Sequence, residues 1–244
     1  MTRAPAPRPS VERLTGYLFD RRPGDPMAEE LAGWLAGSAR FRAYAEVHRD
    51  KIRKKVRSAA DTEALRDVRA ELQGARLLLT DPRIELAFEA YGAGKRGPDL
   101  TVTYRGRQTF NLEITRLRRL PEVSGAAGPI LTKLHQLPTS VPNALLVAIE
   151  GATADALDVA TATRGLRSRA DAKDEAFFVD RGFEGTHDFY ERYLRLGAVF
   201  VWCEGAPGDA RATLWPNPSA RIALPLRAGQ ACLACFRTDK PRLA

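Results

Sequence analysis

Two carboxylates flank the stretch Gly97 to Arg116, GPDLTVTYRGRQTFNLEITR: Asp99 opens one strand-like run and Glu113 lies near the end of the next. Side chains alternate faces along a strand, so the apolar residues test the register. A three-residue turn of Arg105, Gly106 and Arg107, with Gly106 in the left-handed region that such loops favour, pairs Tyr104 with Gln108, Val102 with Phe110 and Leu100 with Leu112. One face is then apolar and continues through Ile114. The other sets Asp99, Thr101 and Thr103 against Glu113, Asn111 and Thr109. A two-residue turn would slip the pairing by one and mix apolar with polar partners, which a half-buried sheet penalises. In the preferred register Asp99 falls opposite Glu113, with Cβ atoms about 5 Å apart. Like charges that close repel unless something positive lies between them. A divalent cation meets that need, since Mg²⁺ takes one or two carboxylates, waters and phosphate oxygens. The alternative is a solvated sheet face with arginine neighbours such as Arg96 and Arg116.

The elements around the hairpin must hold those acids in place. Asp61 is a cap for a helix TEALRDVRAELQGARLLL, whose apolar stripe is Leu65, Val68, Leu72, Ala75 and Leu79 and which Asp81-Pro82 ends. Strand-like runs follow at 84–92, 99–104 and 109–115, then a helical patch GPILTKLHQL, then the fully apolar ALLVAI at 144–149. An all-apolar strand after a helix predicts a buried, parallel member of the sheet, so the class is α/β with a mixed sheet. Upstream, Ser10, Pro26 and Ser38 mark three helix starts, the last opening one long helix ARFRAYAEVHRDKIRKKVRSA with Phe41, Tyr44, Ala45, Ile52 and Val56 on its apolar stripe. Residues 1–9 alternate Pro, Ala and Arg and predict a disordered or extended tail. The expected organisation is a helical N-terminal extension over 1–60 and a core over 61–244 with a helical excursion near 151–196. Within that core, 198–205 reads as a strand that 211–218 pairs with, and 226–236 as a short helix or strand.

Together these features resemble the PD-(D/E)XK nucleases, the superfamily with the restriction-endonuclease-like fold. The matching residues are Glu71 in a helix, Pro98-Asp99, Glu113-Ile114-Thr115, the helix around Lys133 to Leu137 and the strand Ala144 to Ile149. The match covers roughly 62–150. The resemblance implies a restriction-endonuclease-like mixed sheet flanked by helices, and a Mg²⁺- or Mn²⁺-dependent enzyme that cuts phosphodiester bonds in DNA before RNA. By position, Asp99 and Glu113 would be metal ligands with the Ile114 carbonyl, and Glu71 a supporting ligand or base. Thr115 departs from the pattern, which has Lys there to orient water and offset transition-state charge; a hydroxyl supplies no charge. Lys133 is the substitute the helix after the second acid offers, with Gln136 three residues on as its partner for water or phosphate. The other outcome is a module that binds nucleic acid or protein and has lost catalysis.

Composition agrees with a polyanion partner. The net charge is +8, which attracts nucleic acid. The run DKIRKKVR places Lys51, Arg53, Lys54, Lys55 and Arg57 on a helix just before Glu71, where they would position a phosphate backbone without reading sequence, or else form a solvated face. Three cysteines make no disulfide framework, and Cys232 and Cys235 have no second pair, so buried thiols are expected rather than zinc. No run of about 18 apolar residues is present for a membrane span, and the opening MTRAPAPRPS lacks the apolar segment of a secretory signal, so a cytoplasmic protein is expected. Neither a G-x-x-x-x-G-K loop nor a Gly-Ser elbow occurs, which removes weight from nucleotide and serine hydrolases.

Overall fold

The computed structural model describes residues 10–20, 25–89, 97–117, 127–150, 154–206 and 208–238. The predicted tail at 1–9 and the end of the first predicted strand, 90–92, lie outside the described residues. The chain divides into two compact units, with the division between Arg76 and Leu77 rather than at residue 60.

The first unit is helical: α1 (Val11–Leu18), α2 (Pro26–Gly37), α3 (Ala39–Val47), α4 (Arg49–Ser58) and most of α5 (Thr62–Leu78). Four starts are capped, three of them at the residues the sequence signalled and the fourth at Asp25, just before the expected Pro26. The side chains of Ser10, Asp25, Ser38 and Asp61 accept from the amides of Arg13, Met27, Phe41 and Ala64, and Pro26 opens α2. The single long helix expected from Ala39 onward is a correction: it breaks at His48 into α3 and α4. The stripe is shared between two partners, α3 packing on α2 and α4 on α1, and one straight helix cannot face both. Phe41, Tyr44, Ala45 and Ile52 are nonetheless buried as the stripe required.

The second unit is α/β. Its six strands lie in the order β1 (Ile84–Phe88), β2 (Leu100–Tyr104), β3 (Gln108–Leu117), β4 (Asn143–Ile149), β5 (Leu196–Cys203) and β6 (Ala212–Pro216). β3, β4 and β5 run parallel, and the remaining neighbours are antiparallel. A parallel pair needs a crossover; α6 (Ala127–Leu134) lies in the first, and α7 (Val159–Asp171), α8 (Glu175–Val179) and α9 (Thr186–Tyr193) fill the second. Residues 154–196 of the expected excursion are therefore a packed layer that leads into β5. Phe178, Phe183, Phe189 and Tyr193 join Ile130, Leu131 and Leu134 of α6 over Leu145, Val147, Val199 and Val201 of the sheet. On the opposite face α10 (Leu226–Arg237) packs Phe236 edge-on to Phe200. The ambiguous 226–236 run is a helix. β4 and β5 are buried at every position, which explains why they read as unbroken apolar runs.

The hairpin takes the register that parity selected: Tyr104 faces Gln108, Val102 faces Phe110 and Leu100 faces Leu112. Gly106 is left-handed at φ 65°, and Arg105 before it is left-handed too, at φ 53°.

Candidate active site

β3 runs past the end of β2, and that overhang creates the site. Ile114 has an amide on the β2 edge with no strand residue left to receive it. Asp99, the residue just before β2, takes it: Oδ2 accepts from Ile114 N at 2.9 Å. The main-chain oxygen of Asp99 in turn accepts from Glu89 N at 2.9 Å, tying β1 to the same point. The N–H and C=O of a strand residue leave by the same edge, so the Ile114 carbonyl also faces the Asp99 side. Asp99 is 9% exposed and Glu113 1%. Two carboxylates are thus withdrawn from water at the end of the β2–β3 ladder, on the polar face.

Burying a carboxylate costs several kcal/mol unless it is paired. The partner of Glu113 comes from α6. Glu113 neighbours Leu145 in the parallel register, and Leu145 packs beneath Ile130, Leu131 and Leu134. Lys133 lies beside Leu134 on that helix, and its Nζ donates to Glu113 Oε1 at 2.6 Å. The Lys133 side chain keeps 19% of its surface exposed, against 2% for Glu113, so Glu113 is the more deeply withdrawn partner. Thr115 follows Glu113 on the same face beside Val147 and is half-buried. It supplies a hydroxyl without charge.

A polar row not singled out from the sequence supports this end of the sheet. Asn111 Nδ2 donates to Asn143 Oδ1 at 3.1 Å, and Thr101 Oγ1 donates to Asn111 Oδ1 at 3.3 Å. Asn143 Nδ2 then serves the carbonyls of Pro138, Val141 and Arg195 at 2.8, 3.2 and 3.0 Å. These bonds anchor the segment that joins α6 to β4, and so help fix the helix that carries Lys133. The available signal was an Asn heading an otherwise apolar strand.

Two expected placements differ. Gln136 is not on the helical face of Lys133, because α6 ends at Leu134; its amide closes a tight turn onto Lys133 O at 3.0 Å. Pro138 accounts for that stop, since the residue before a proline avoids the helical region. Glu71 belongs to the first unit, where Lys55 donates to it in a partly buried pair. Arg53 is likewise held by Asp20, with Arg57 3.5 Å from the same carboxylate. The basic run is therefore partly pinned, with Lys54 exposed and Lys51 half-buried.

Among the described residues no cluster of three or more His, Cys, Asp or Glu is set to hold a metal. Asp99, Glu113 and the Ile114 carbonyl are hard oxygen donors, the type that Mg²⁺ and Mn²⁺ prefer. Cys203, Cys232 and Cys235 are free and buried. Burial pushes the Cys235 thiol up to about 11 and that of Cys232 well above its ordinary value, so neither is a ready thiolate ligand. No described helix is long and apolar enough to cross a membrane. Comparison with protein-family models, curated proteins and solved structures finds no match to this chain.

Proposed function

We propose that the protein is a metal-dependent hydrolase of phosphodiester bonds whose working side chains are Asp99, Glu113 and Lys133. More narrowly, it is a nuclease of the PD-(D/E)XK kind, cytoplasmic, acting on DNA before RNA with Mg²⁺ or Mn²⁺. One observation carries the reading: an amine from α6 stands 2.6 Å from the second acid of the motif, supplying the charge that Thr115 lacks. Asp99, Glu113 and the Ile114 carbonyl would hold the ion. Bound there, it would supply Lewis acidity and lower the pKa of a water.

The chain's own groups divide the remaining work. Lys133 keeps positive charge beside the acids, where a phosphate gains negative charge as its bond breaks. The bond from Ile114 N fixes the Asp99 carboxylate, so little reorganisation is needed when a ligand arrives. The Thr115 hydroxyl, one alternation along the same face, is placed to orient a water. Glu71 is engaged by Lys55, and the reading does not require it.

Cleavage of plasmid, single-stranded and branched DNA with Mn²⁺ tests the proposal. Wild type should cut at least one of them, and Glu113→Gln and Lys133→Ala should not. Equal cutting by all three proteins would end it. The second reading, a binding module without catalysis, is favoured by the fact that Lys133 already neutralises Glu113. It predicts no cleavage, and a calorimetric Mg²⁺ titration that Asp99→Ala leaves unchanged.

A further inference from the structure

In the first unit, helices α1 and α4 hold Tyr17 between two open clefts. One, of about 500 Å³, is lined by Tyr17, Asp50, Arg53, Lys54 and Arg57; the other, of about 680 Å³, by Arg13, Gly16, Tyr17, Asp20 and Arg53. The Tyr17 side chain is fixed from both ends. Its hydroxyl donates to Asp50 Oδ1 at 2.5 Å, and the Arg53 guanidinium lies 4.4 Å from the ring centroid, with that of Arg49 at 5.5 Å. Asp20 holds Arg53 in that position. Even so, 36% of Tyr17 stays exposed. Asp50 and Asp20 are thus spent on orienting the ring and the guanidinium, while a third acid, Glu12, lines the second cleft and is exposed. Lys54 stays exposed at the rim, and α4 as a whole carries six cations against one acid, Asp50.

We infer that this α1–α4 surface is a docking site for single-stranded nucleic acid, in which an unpaired base stacks on the Tyr17–Arg53 platform while Lys54, Arg57 and Arg13 meet the phosphates. The inference deepens the proposed function by naming the form of its substrate, and rests on that reading for the partner being a polynucleotide. The chemistry fits in three respects. An aromatic face and a guanidinium plane are the surfaces on which exposed bases stack, and they do so without selecting a sequence. Clefts of this volume suit one small ligand each, so a flipped-out nucleotide enters where a duplex, its bases already stacked, would ride over the rim. The excess of cations attracts a phosphate chain at long range and makes binding depend on salt.

The test is binding of the full-length chain to fluorescently labelled oligothymidylate, oligouridylate and a duplex of equal length, in EDTA so that no cleavage occurs. Wild type should prefer the single strands, and whichever of the two binds tighter identifies the polymer. Stacking contributes enough per base that Tyr17→Ala should weaken binding about tenfold, whereas Tyr17→Phe, which keeps the ring, should stay near wild type. Lys54→Glu, an exposed change that leaves the fold intact, should weaken binding and lower the slope of log K against log salt by about 0.7 or more. Equal affinity for duplex and single strands, an unchanged affinity in Lys54→Glu, or equal competition by polyglutamate would each overturn the inference. Cleavage by the Asp99–Glu113 site is measured separately with Mn²⁺, so a loss there leaves this outcome readable.

Discussion

Removing Lys133 should cost more stability than neutralising Glu113, and a metal ion should reverse only the first loss. Breaking a buried pair by deleting one partner costs roughly 3–5 kcal/mol, because the other charge is stranded. Lys133→Met removes the ammonium that pairs with Glu113, whose side chain is 2% exposed. About 3 kcal/mol is expected there. Glu113→Gln leaves Lys133, whose side chain is 19% exposed and flexible enough to swing toward solvent, so about 1–2 kcal/mol is expected. Urea titration in EDTA, followed by the fluorescence of Trp202 and Trp215 in the same unit, reads both; with m near 1–3 kcal/mol/M the first change moves the midpoint by about 1–3 M. Mg²⁺ at about a hundred times its dissociation constant should then restore roughly 2.7 kcal/mol to Lys133→Met, since that variant keeps both carboxylates as ligands. Glu113→Gln has lost a ligand and should gain little. Equal or reversed costs in EDTA would refute the stranded-charge reasoning, and no recovery with Mg²⁺ would refute the metal reading.

Asp99 should separate stability from activity. Asp99→Asn keeps an oxygen for the Ile114 amide and should melt within about 1 kcal/mol of wild type, whereas Asp99→Ala leaves that buried amide unsatisfied at about 1–3 kcal/mol; both should abolish plasmid cutting. Two glycines should respond in opposite directions in a thermal melt. A Cβ on Gly197 would lie 3.0 Å from Asn143 O, 3.1 Å from Leu224 N and 3.2 Å from Ile222 O, so Gly197→Ala should destabilise by about 1–3 kcal/mol, while Gly165→Ala meets nothing within 4 Å inside α7 and should stabilise by about 0.5–1 kcal/mol. Bonds from the hydroxyl and amide of Thr161 to Asp158 hold that carboxyl below its ordinary value of 3.8. A lowered folded-state value means stability present above 3.8 and lost as pH falls through the folded value, so the melting difference between wild type and Asp158→Ala should shrink in acid. The buried thiols should resist a thiol reagent at pH 8 in the native chain and react once urea unfolds it.

Much of the second unit was legible because its signals are local and repetitive. Alternation of Leu100, Val102, Phe110 and Leu112 admits one register without mixing faces, and that register is the one observed. The parallel setting of β4 followed from a run with no polar position, which only a strand covered on both faces tolerates. Caps at Ser10, Ser38 and Asp61 mark helix starts because each satisfies an amide a few residues away. Less legible were features that depend on what lies across the fold. His48 carries no breaking signal of its own; the helix divides there to serve two neighbours. The run at 226–236 has an apolar pattern that suits either a helix or a strand until Phe236 finds Phe200. Gln136 was misplaced because periodicity was carried past a helix end that Pro138 imposes.

Asp99 and Glu113 were singled out by sequence alone, and the register of the strands beside them followed from parity, since alternation is a property of the backbone and needs no knowledge of the rest of the chain. The sequence also marked Thr115 as a position without charge. The source of the missing charge was decided by tertiary structure. Lys133 is twenty residues from Glu113, and the two meet because the crossover lays α6 over the face that Glu113 shares with Leu145, with Asn143 bonding the segment that leads from that helix into β4. Contacts of that kind depend on the volumes packed between the elements, and no spacing in the sequence encodes them.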